Sequence, residues 1–258
     1  MFPALFVGHG SPTNALDSNA YTSGWRALGL SLPRPRAIVA VSAHWYTRGT
    51  FVTANVTPRT IHDFGGFQPE LYEVSYPAPG SPALAAELVA RLAPFIVAEA
   101  SDWGLDHGTW SVLVHTYPRA DIPIVQLSID GTQPPEFHYA IGQALAPLRR
   151  EGILVFGSGG VVHNLRRLAR SGPAATPAWA QDFDDWVRAC VAAADHAALI
   201  DFASRGESAE LAVPTPEHYL PLLYVLGTQQ PGEQVTVPVS GFDLGSLSMA
   251  SFVIGAAG

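Results

Sequence analysis

The chain alternates short, unbroken apolar runs with longer stretches in which apolar positions recur at helical spacing. Pro3–Val7, Ala37–Ser42 (AIVAVS), Ile122–Ile129 (IPIVQLSI) and Ile153–Phe156 (ILVF) are runs of the first kind. Continuous runs rich in β-branched residues suit strands covered on both faces. Helical spacing marks Ser81–Phe95, Phe137–Arg150, Trp179–Phe202 and Pro216–Leu226. Ser81-Pro82 supplies an N-cap residue and a first-turn proline, and Thr215 is the expected N-cap of the last helix. Gln234–Val237 and Leu247–Ile254 are expected as closing strands, the first of them ended by Pro238. Strands alternating with helices predict an α/β layered fold with a mostly parallel sheet, and 258 residues fit a single domain. In such sheets ligands collect beyond the carboxyl ends of the strands.

Composition narrows the function classes. Hydrophobic residues make up 48% and charged residues 14%, enough to bury a sizeable core. The formal net charge of −8 and the lack of any basic run argue against nucleic acid as a partner. Cys190 is the single cysteine, so no internal disulfide forms, which suits a reducing cytosol. It falls in an apparent helix, Asp184–Ala194, and reads as a buried structural thiol. No apolar run is long enough to cross a bilayer, and the first apolar run stops at once in Gly8-His9-Gly10-Ser11-Pro12. The expectation is a cytoplasmic protein with no membrane partner; nothing in the chain sets an oligomeric state.

Nine histidines are spread along the chain. His9, His44 and His163 each come shortly after a strand, beside glycines or other small residues that let the backbone approach a ligand closely. Any one of them alone reads better as a satisfied polar residue than as a ligand. Three at analogous strand ends favour a metal site, because neutral imidazole ligates iron, zinc, copper and nickel. His218, expected at the start of a helix, can reach the same rim. His107 lies in an irregular aromatic and glycine-rich stretch, Trp103–Trp110, and is a candidate acid/base. His138 and His196 read as structural, while His62 and His115 stay open. Gly157-Ser158-Gly159-Gly160 lacks the residues of a phosphate loop and leads the chain toward His163.

Seven motifs, taken in order, carry a resemblance: Gly8-His9-Gly10-Ser11-Pro12, Ser42-Ala43-His44-Trp45, His62-Asp63-Phe64-Gly65-Gly66-Phe67, Tyr76-Pro77-Ala78-Pro79-Gly80, Leu105-Asp106-His107-Gly108-Thr109-Trp110, Gly157-Ser158-Gly159 with His163-Asn164-Leu165, and Thr215-Pro216-Glu217-His218-Tyr219. Together they resemble the 4,5-DOPA extradiol dioxygenase family, within the class III ring-cleaving dioxygenases, from the first residues to about Leu226. The resemblance implies a single α/β domain with a central mixed sheet flanked by helices. It implies Fe(II) for catalysis, with Zn(II) able to occupy the same site. It places His9, His44 and His218 at metal-ligand positions, and His163 at a position that contacts the metal in some relatives and acts as acid/base in others. His107 matches a histidine that assists proton transfer. The implied substrates are a catechol, DOPA or a related one, and O2.

Two points bear on the ligand set. Glu217 and His218 are adjacent where the last ligand should come, and neighbouring side chains on a helix diverge by about 100°. The resemblance favours His218, leaving Glu217 as a group behind the ligands or a cap near the helix N-terminus. A cage of four tight histidines would leave little room for catechol and O2, so His163 is expected to be weak or displaced as a ligand. Trp45, Tyr46, Phe64, Phe67 and Trp110 are candidate pocket residues, and Arg48, Arg59 and Arg166 are candidate partners for a substrate carboxylate. The competing readings are a zinc-dependent hydrolase on the same ligands and a non-catalytic metal-binding relative of the same fold.

Overall fold

A computed structural model describes residues 1–169 and 175–255. In chain order its elements are β1 (Ala4–Gly8), α1 (Ala20–Ser31), β2 (Ala37–Thr47), β3 (Thr50–Thr53), α2 (Pro69–Tyr72), α3 (Pro82–Arg91), β4 (Val97–Ala100), α4 (His107–Thr116), β5 (Ile124–Asp130), α5 (Pro135–Leu145), β6 (Ile153–Gly159), α6 (Ala178–Ala193), α7 (His196–Ile200), α8 (Glu207–Ala212), α9 (Leu220–Gly227), β7 (Val235–Val239), β8 (Phe242–Asp243), β9 (Leu247–Ser248) and β10 (Ser251–Ile254). Eight strands form one mixed, mostly parallel sheet in the order β4-β3-β5-β2-β6-β1-β10-β7. The parallel centre is β5-β2-β6-β1, and β10 and β7 extend it antiparallel.

The apolar runs become strands because each alternate side chain has its own layer to enter. Ala4 and Phe6, Val39 and Val41, and Ile153 and Val155 pack against α3, α5, α6 and α9. Leu5 and Val7, Ile38 and Ala40, and Leu154 and Phe156 face the opposite way, against α1 and α4. Both faces are covered, which is why no polar alternation appears in these strands.

Several expected boundaries shift. β2 continues to Thr47 through a register irregularity between Val41 and Tyr46, so His44 lies inside the strand and not after it. Gly157 to Gly159 belong to β6 rather than to a loop. The long helix expected over Trp179–Phe202 is broken: Ala194 turns left-handed at φ 53° and Asp195 caps α7 through the backbone N–H of Ala198. Thr215 makes no capping bond; its hydroxyl donates to Glu217 Oε1 at 2.7 Å, and Pro216–His218 is a 3-10 turn that precedes α9. Pro238 sits within β7, tolerated because β7 is an edge strand.

His138 gives the fold a pH dependence. It is wholly buried, with Nδ1 2.9 Å from the Tyr224 hydroxyl, and burial pushes its pKa down from 6.5 to about 4. The unfolded chain therefore takes up this proton first as pH falls, so stability is lost from about pH 6.5 down to about pH 4. The loss from this residue is on the order of 3 kcal/mol. Denaturant midpoints measured across that range should fall for the parent chain and fall less steeply for His138→Gln, which does not titrate.

Candidate metal centre

β6 lies between β1 and β2, with Gly159 in register with Gly8 and Ser158 in register with Ser42. Their carboxyl ends therefore open on one spot. His9 follows β1 directly, and His44 projects from the irregular stretch near the end of β2. His218 arrives on the 3-10 turn, whose carbonyl accepts from Gly160 N at 2.8 Å. A Cβ on Gly159 would collide with the His218 carbonyl, so glycine there is what admits the turn. His107 is the first residue of α4, where Asp106 caps the helix by accepting from Thr109 N. Gly108 likewise leaves the space that Ser42 and His44 fill.

The ring nitrogens are arranged consistently. His9 Nδ1 lies 3.0 Å from Ser158 Oγ, and that hydroxyl spends its proton on the Gly108 carbonyl at 2.5 Å. Ser158 must then accept from His9, which puts the proton on Nδ1 and leaves Nε2 as a free lone pair. Asp63 Oδ2 lies 3.1 Å from His44 Nδ1 and 3.0 Å from His107 Nδ1, and Oδ1 accepts the His107 backbone N–H at 2.9 Å. Glu217 Oε1 lies 3.2 Å from His218 Nδ1. Every Nδ1 of these four rings is thus held by an oxygen, the arrangement that orients metal-ligating histidines.

Of the opposite nitrogens, two meet each other and a third has no partner. His9 Nε2 and His44 Nε2 face one another at 3.2 Å, and His218 Nε2 is buried with no hydrogen-bond partner. Two adjacent ligands of a tetrahedral ion with metal–nitrogen bonds of about 2.0–2.1 Å stand about 3.4 Å apart. Ligand atoms of His9, His44 and His107 all lie within 4.8 Å of one another, as do those of His163, Glu217 and His218. The His9 and His44 rings lie 5.4 and 5.1 Å from that of His218, which joins the two groups. Facing imidazole nitrogens beside an unpartnered buried one fit a divalent cation.

Charge supports the same reading at His9 and His218. Burial, then the neighbouring imidazoles, holds the pKa values of His9 and His218 well below 6.5, so both stay neutral with lone pairs available. Burial also lowers His44, but the Asp63 hydrogen bond and nearby carboxylates outweigh it and raise the net value. Burial alone would raise Asp63, yet its bonds to His107 and His44 keep it well below the usual carboxylate range. Burial, then His44, brings His163 down to about 4.

His163 takes part differently. Its ring stacks on that of His218 with centroids 3.4 Å apart and planes 6° from parallel. In-plane lone pairs of two parallel rings run side by side, and ligand atoms of the two residues and Glu217 lie within 4.8 Å of one another. His163 also borders a cavity of about 420 Å³ above the cluster, together with Phe64 and Phe67. The other aromatic candidates lie elsewhere. Trp45 stacks on Trp103, Tyr46 is 41% exposed, and Trp110 is core with its indole N–H donating to the Ile61 carbonyl. Arg48, Arg59 and Arg166 do not line the cavity, and Arg59 bonds the Asp102 carbonyl.

The remaining histidines are structural. His62 Nε2 meets the Val74 carbonyl at 3.0 Å, His115 Nε2 meets the Asn14 carbonyl at 2.7 Å, and His196 sits between Tyr139 and Gln229. The sequence reading missed the supporting shell. Buried Asp106 accepts from Ser42 at 2.6 Å and Gln126 at 2.7 Å, tying the start of α4 to β2 and β5. Asp63, which serves two histidines, gave no signal beyond its place in a motif.

Comparison with known proteins adds independent findings. Residues 6–247 match the family described as the catalytic LigB subunit of aromatic ring-opening dioxygenase. A protein of Escherichia coli (strain K12) named 4,5-DOPA dioxygenase extradiol is 53% identical over 257 residues, covering 98% of this chain and 94% of the relative. A Beta vulgaris protein of the same name is 35% identical, covering 96% and 94%. A crystal structure of an uncharacterized protein from Escherichia coli K12 superposes with TM-score 0.87 at 48% identity, covering 99% of this chain and 100% of that one.

Proposed function

The chain belongs to the LigB family of aromatic ring-opening dioxygenases, and from that membership we propose that it cleaves DOPA or a related catechol with O2 at a non-haem Fe(II) centre held by His9, His44 and His218. Extradiol ring cleavage is the activity of an enzyme of this kind; the metal, the residue roles and the catechol are the proposed parts. What supports the ligand set is that His9 Nε2 and His44 Nε2 face one another at 3.2 Å, that His218 Nε2 is buried without a partner on a ring 5.4 and 5.1 Å from theirs, and that an oxygen lies beside each Nδ1. Bound Fe(II) would supply adjacent open positions for the two catechol oxygens and O2, and would acidify the hydroxyls; Zn(II) fits the same donors but has no redox chemistry.

The chain's own groups handle substrate and protons. His163 stands over His218 at the edge of the cavity, neutral at pH 7, and accepts a hydroxyl proton. Its stacked geometry favours that role over ligation. His107 shares Asp63 with His44, holds its Nδ1 proton there and keeps Nε2 toward the cluster to take and return a proton. Glu217 orients His218 and does not ligate. Phe64 and Phe67 cover one side of the ring site and limit entry of water. The whole chain works as one catalytic domain, and the cytoplasm is the compartment that suits it; no helix among the described residues is long and apolar enough to cross a membrane.

The test is to strip the metal, reload anaerobically with Fe(II) or Zn(II), and add DOPA and O2. Oxygen uptake and a yellow ring-opened product are expected with Fe(II) and absent with Zn(II). Hydrolytic activity with Zn(II) and no oxygen uptake with Fe(II) would select the hydrolase instead. His107→Ala should keep its metal content and lose about 10²–10⁴-fold in rate, the usual contribution of general acid–base catalysis.

A further inference from the structure

The walls of the cavity above the histidines say which catechols suit it, an inference that rests on the ring-cleavage reading above. Phe64, Phe67, Leu165, Leu168, Leu244 and Leu247 form a hydrocarbon collar between the imidazoles and solvent. Phe64 is fixed edge-to-face against His107 at 5.4 Å and against Phe67 at 5.5 Å, so this wall is preset. Leu165 begins a 3-10 turn, Leu165–Arg167, and Leu168 follows three residues later, the spacing that puts both on one side of such a turn. Arg166 and Arg167, between them, do not line the cavity. Leu165 is 60% exposed, Leu244 42% and Phe67 36%, so the outer edge of the collar meets water. The described lining residues include no Lys or Arg; beyond the imidazoles at the floor, the one ionisable side chain is Asp63, whose carboxylate is committed to His44 and His107.

We propose that this collar selects catechols by their ring substituent, favouring alkyl groups and rejecting a carboxylate attached directly to the ring. A carboxylate on the ring would enter hydrocarbon with no cation among the described residues to meet it, and an unpaired buried charge is strongly disfavoured. An alkyl group gains about 3–4-fold in affinity for each methylene buried. A charge carried on a short alkyl arm, as in DOPA, passes the collar and reaches water at Leu165 and Leu244. The substituent therefore needs an apolar root, whatever its tip.

Affinity tests this separately from turnover. The Zn(II)-loaded protein, kept anaerobic, is titrated calorimetrically with catechol, 4-methylcatechol, 4-ethylcatechol, DOPA and protocatechuate. Kd is expected to fall about 3–4-fold at each alkyl step. Protocatechuate is expected to bind at least about tenfold more weakly than 4-methylcatechol, with DOPA between them. Leu165→Arg, at an exposed position outside the ligand set, should close the gap by improving protocatechuate; Leu244→Lys is the second variant should the first not fold. Equal affinity for protocatechuate and 4-methylcatechol, or no alkyl trend, overturns the collar. Oxygen uptake by the Fe(II) enzyme with 4-methylcatechol is scored independently: its failure sinks ring cleavage and leaves the affinity order standing, and the reverse holds too.

Discussion

His44→Ala should purify with almost no bound metal and lose turnover by more than the roughly 10–100-fold that follows loss of an outer-shell partner. His44 is the hinge of the cluster. Its Nε2 faces His9 at 3.2 Å, its Nδ1 faces Asp63 at 3.1 Å, and its ring centroid lies 3.9 Å from that of His107. Alanine removes one of the three proposed ligand nitrogens and also one of the two imidazoles that share Asp63 Oδ2. Asp63→Asn leaves all three lone pairs in place and loosens only their aim, so its metal affinity should fall by about 10–100-fold and no further. Metal content by elemental analysis and affinity by chelator competition separate the two variants. The metal-free His44→Ala chain should unfold at or above the temperature of the metal-free parent, because it no longer buries two facing lone pairs. It should gain nothing from added Zn(II), whereas the parent gains stability in proportion to the logarithm of free metal over Kd. A His44→Ala chain that retains a full equivalent of metal would remove this residue from the ligand set.

Much of this centre was legible because strands buried on both faces leave an unmistakable apolar run, and a histidine just past such a run stands where parallel sheets place ligands. His9 and His163 were found in that way. His44 was found with its strand ended too early, since the irregularity between Val41 and Tyr46 turns the pattern from apolar to mixed while the strand goes on. α4 was not legible at all. Nearly every side of it is buried, so its sequence HGTWSVLVHT carries no amphipathic period, and its glycine and threonine suggest a loop. That hid the fact that His107 begins a helix whose first turn stands beside His9 and His44. α1 was missed for a related reason: Thr22, Ser23, Gly24 and Gly29 dilute its helical signal, and its structure depends on the Asn19 capping box and on Trp25 and Leu28 in the core. Apart from Glu217, which adjoins His218, the oxygens that orient the imidazoles come from remote stretches and leave no local sign. Ser158 is 149 positions from His9, and Asp63 is 44 from His107. No local pattern encodes such pairs; only the closed sheet brings them together.

The largest effect expected on stability lies away from the metal, at Arg149. This guanidinium is wholly buried, and its nitrogens donate to both oxygens of Glu233 at 2.7 Å, to the carbonyls of Phe2 at 2.8 Å and Thr228 at 2.7 Å, and to Ile254 at 3.3 Å. One side chain thus ties the segment after α5 to the N-terminus, the end of α9 and the last strand. Arg149→Met fills the volume but removes the cation from a largely buried carboxylate and a donor from three carbonyls, leaving Glu233 and Thr228 only their bonds from Gln230, so a loss of about 3–5 kcal/mol is expected. For a chain of this size that is a fall of roughly 10 °C in melting temperature. Arg149→Lys keeps the charge but cannot present a planar fork to Glu233 and reach the carbonyls as well, so it should recover only part of the loss. Arg149→Met combined with Glu233→Gln should be less damaged than the sum of the two single changes, because the stranded charge is gone. pH adds a check on the same pair. Burial alone would raise Glu233, but its bonds to Arg149 bring it below 4.5, so the pair stabilises the fold above that value and stops doing so as pH falls through the lowered one. The acid limb of the stability curve should therefore flatten in Arg149→Met while metal content at neutral pH and low temperature stays that of the parent. An Arg149→Met chain as stable as the parent would mean that neighbouring groups or water satisfy those acceptors, and that this buried pair adds no net stability.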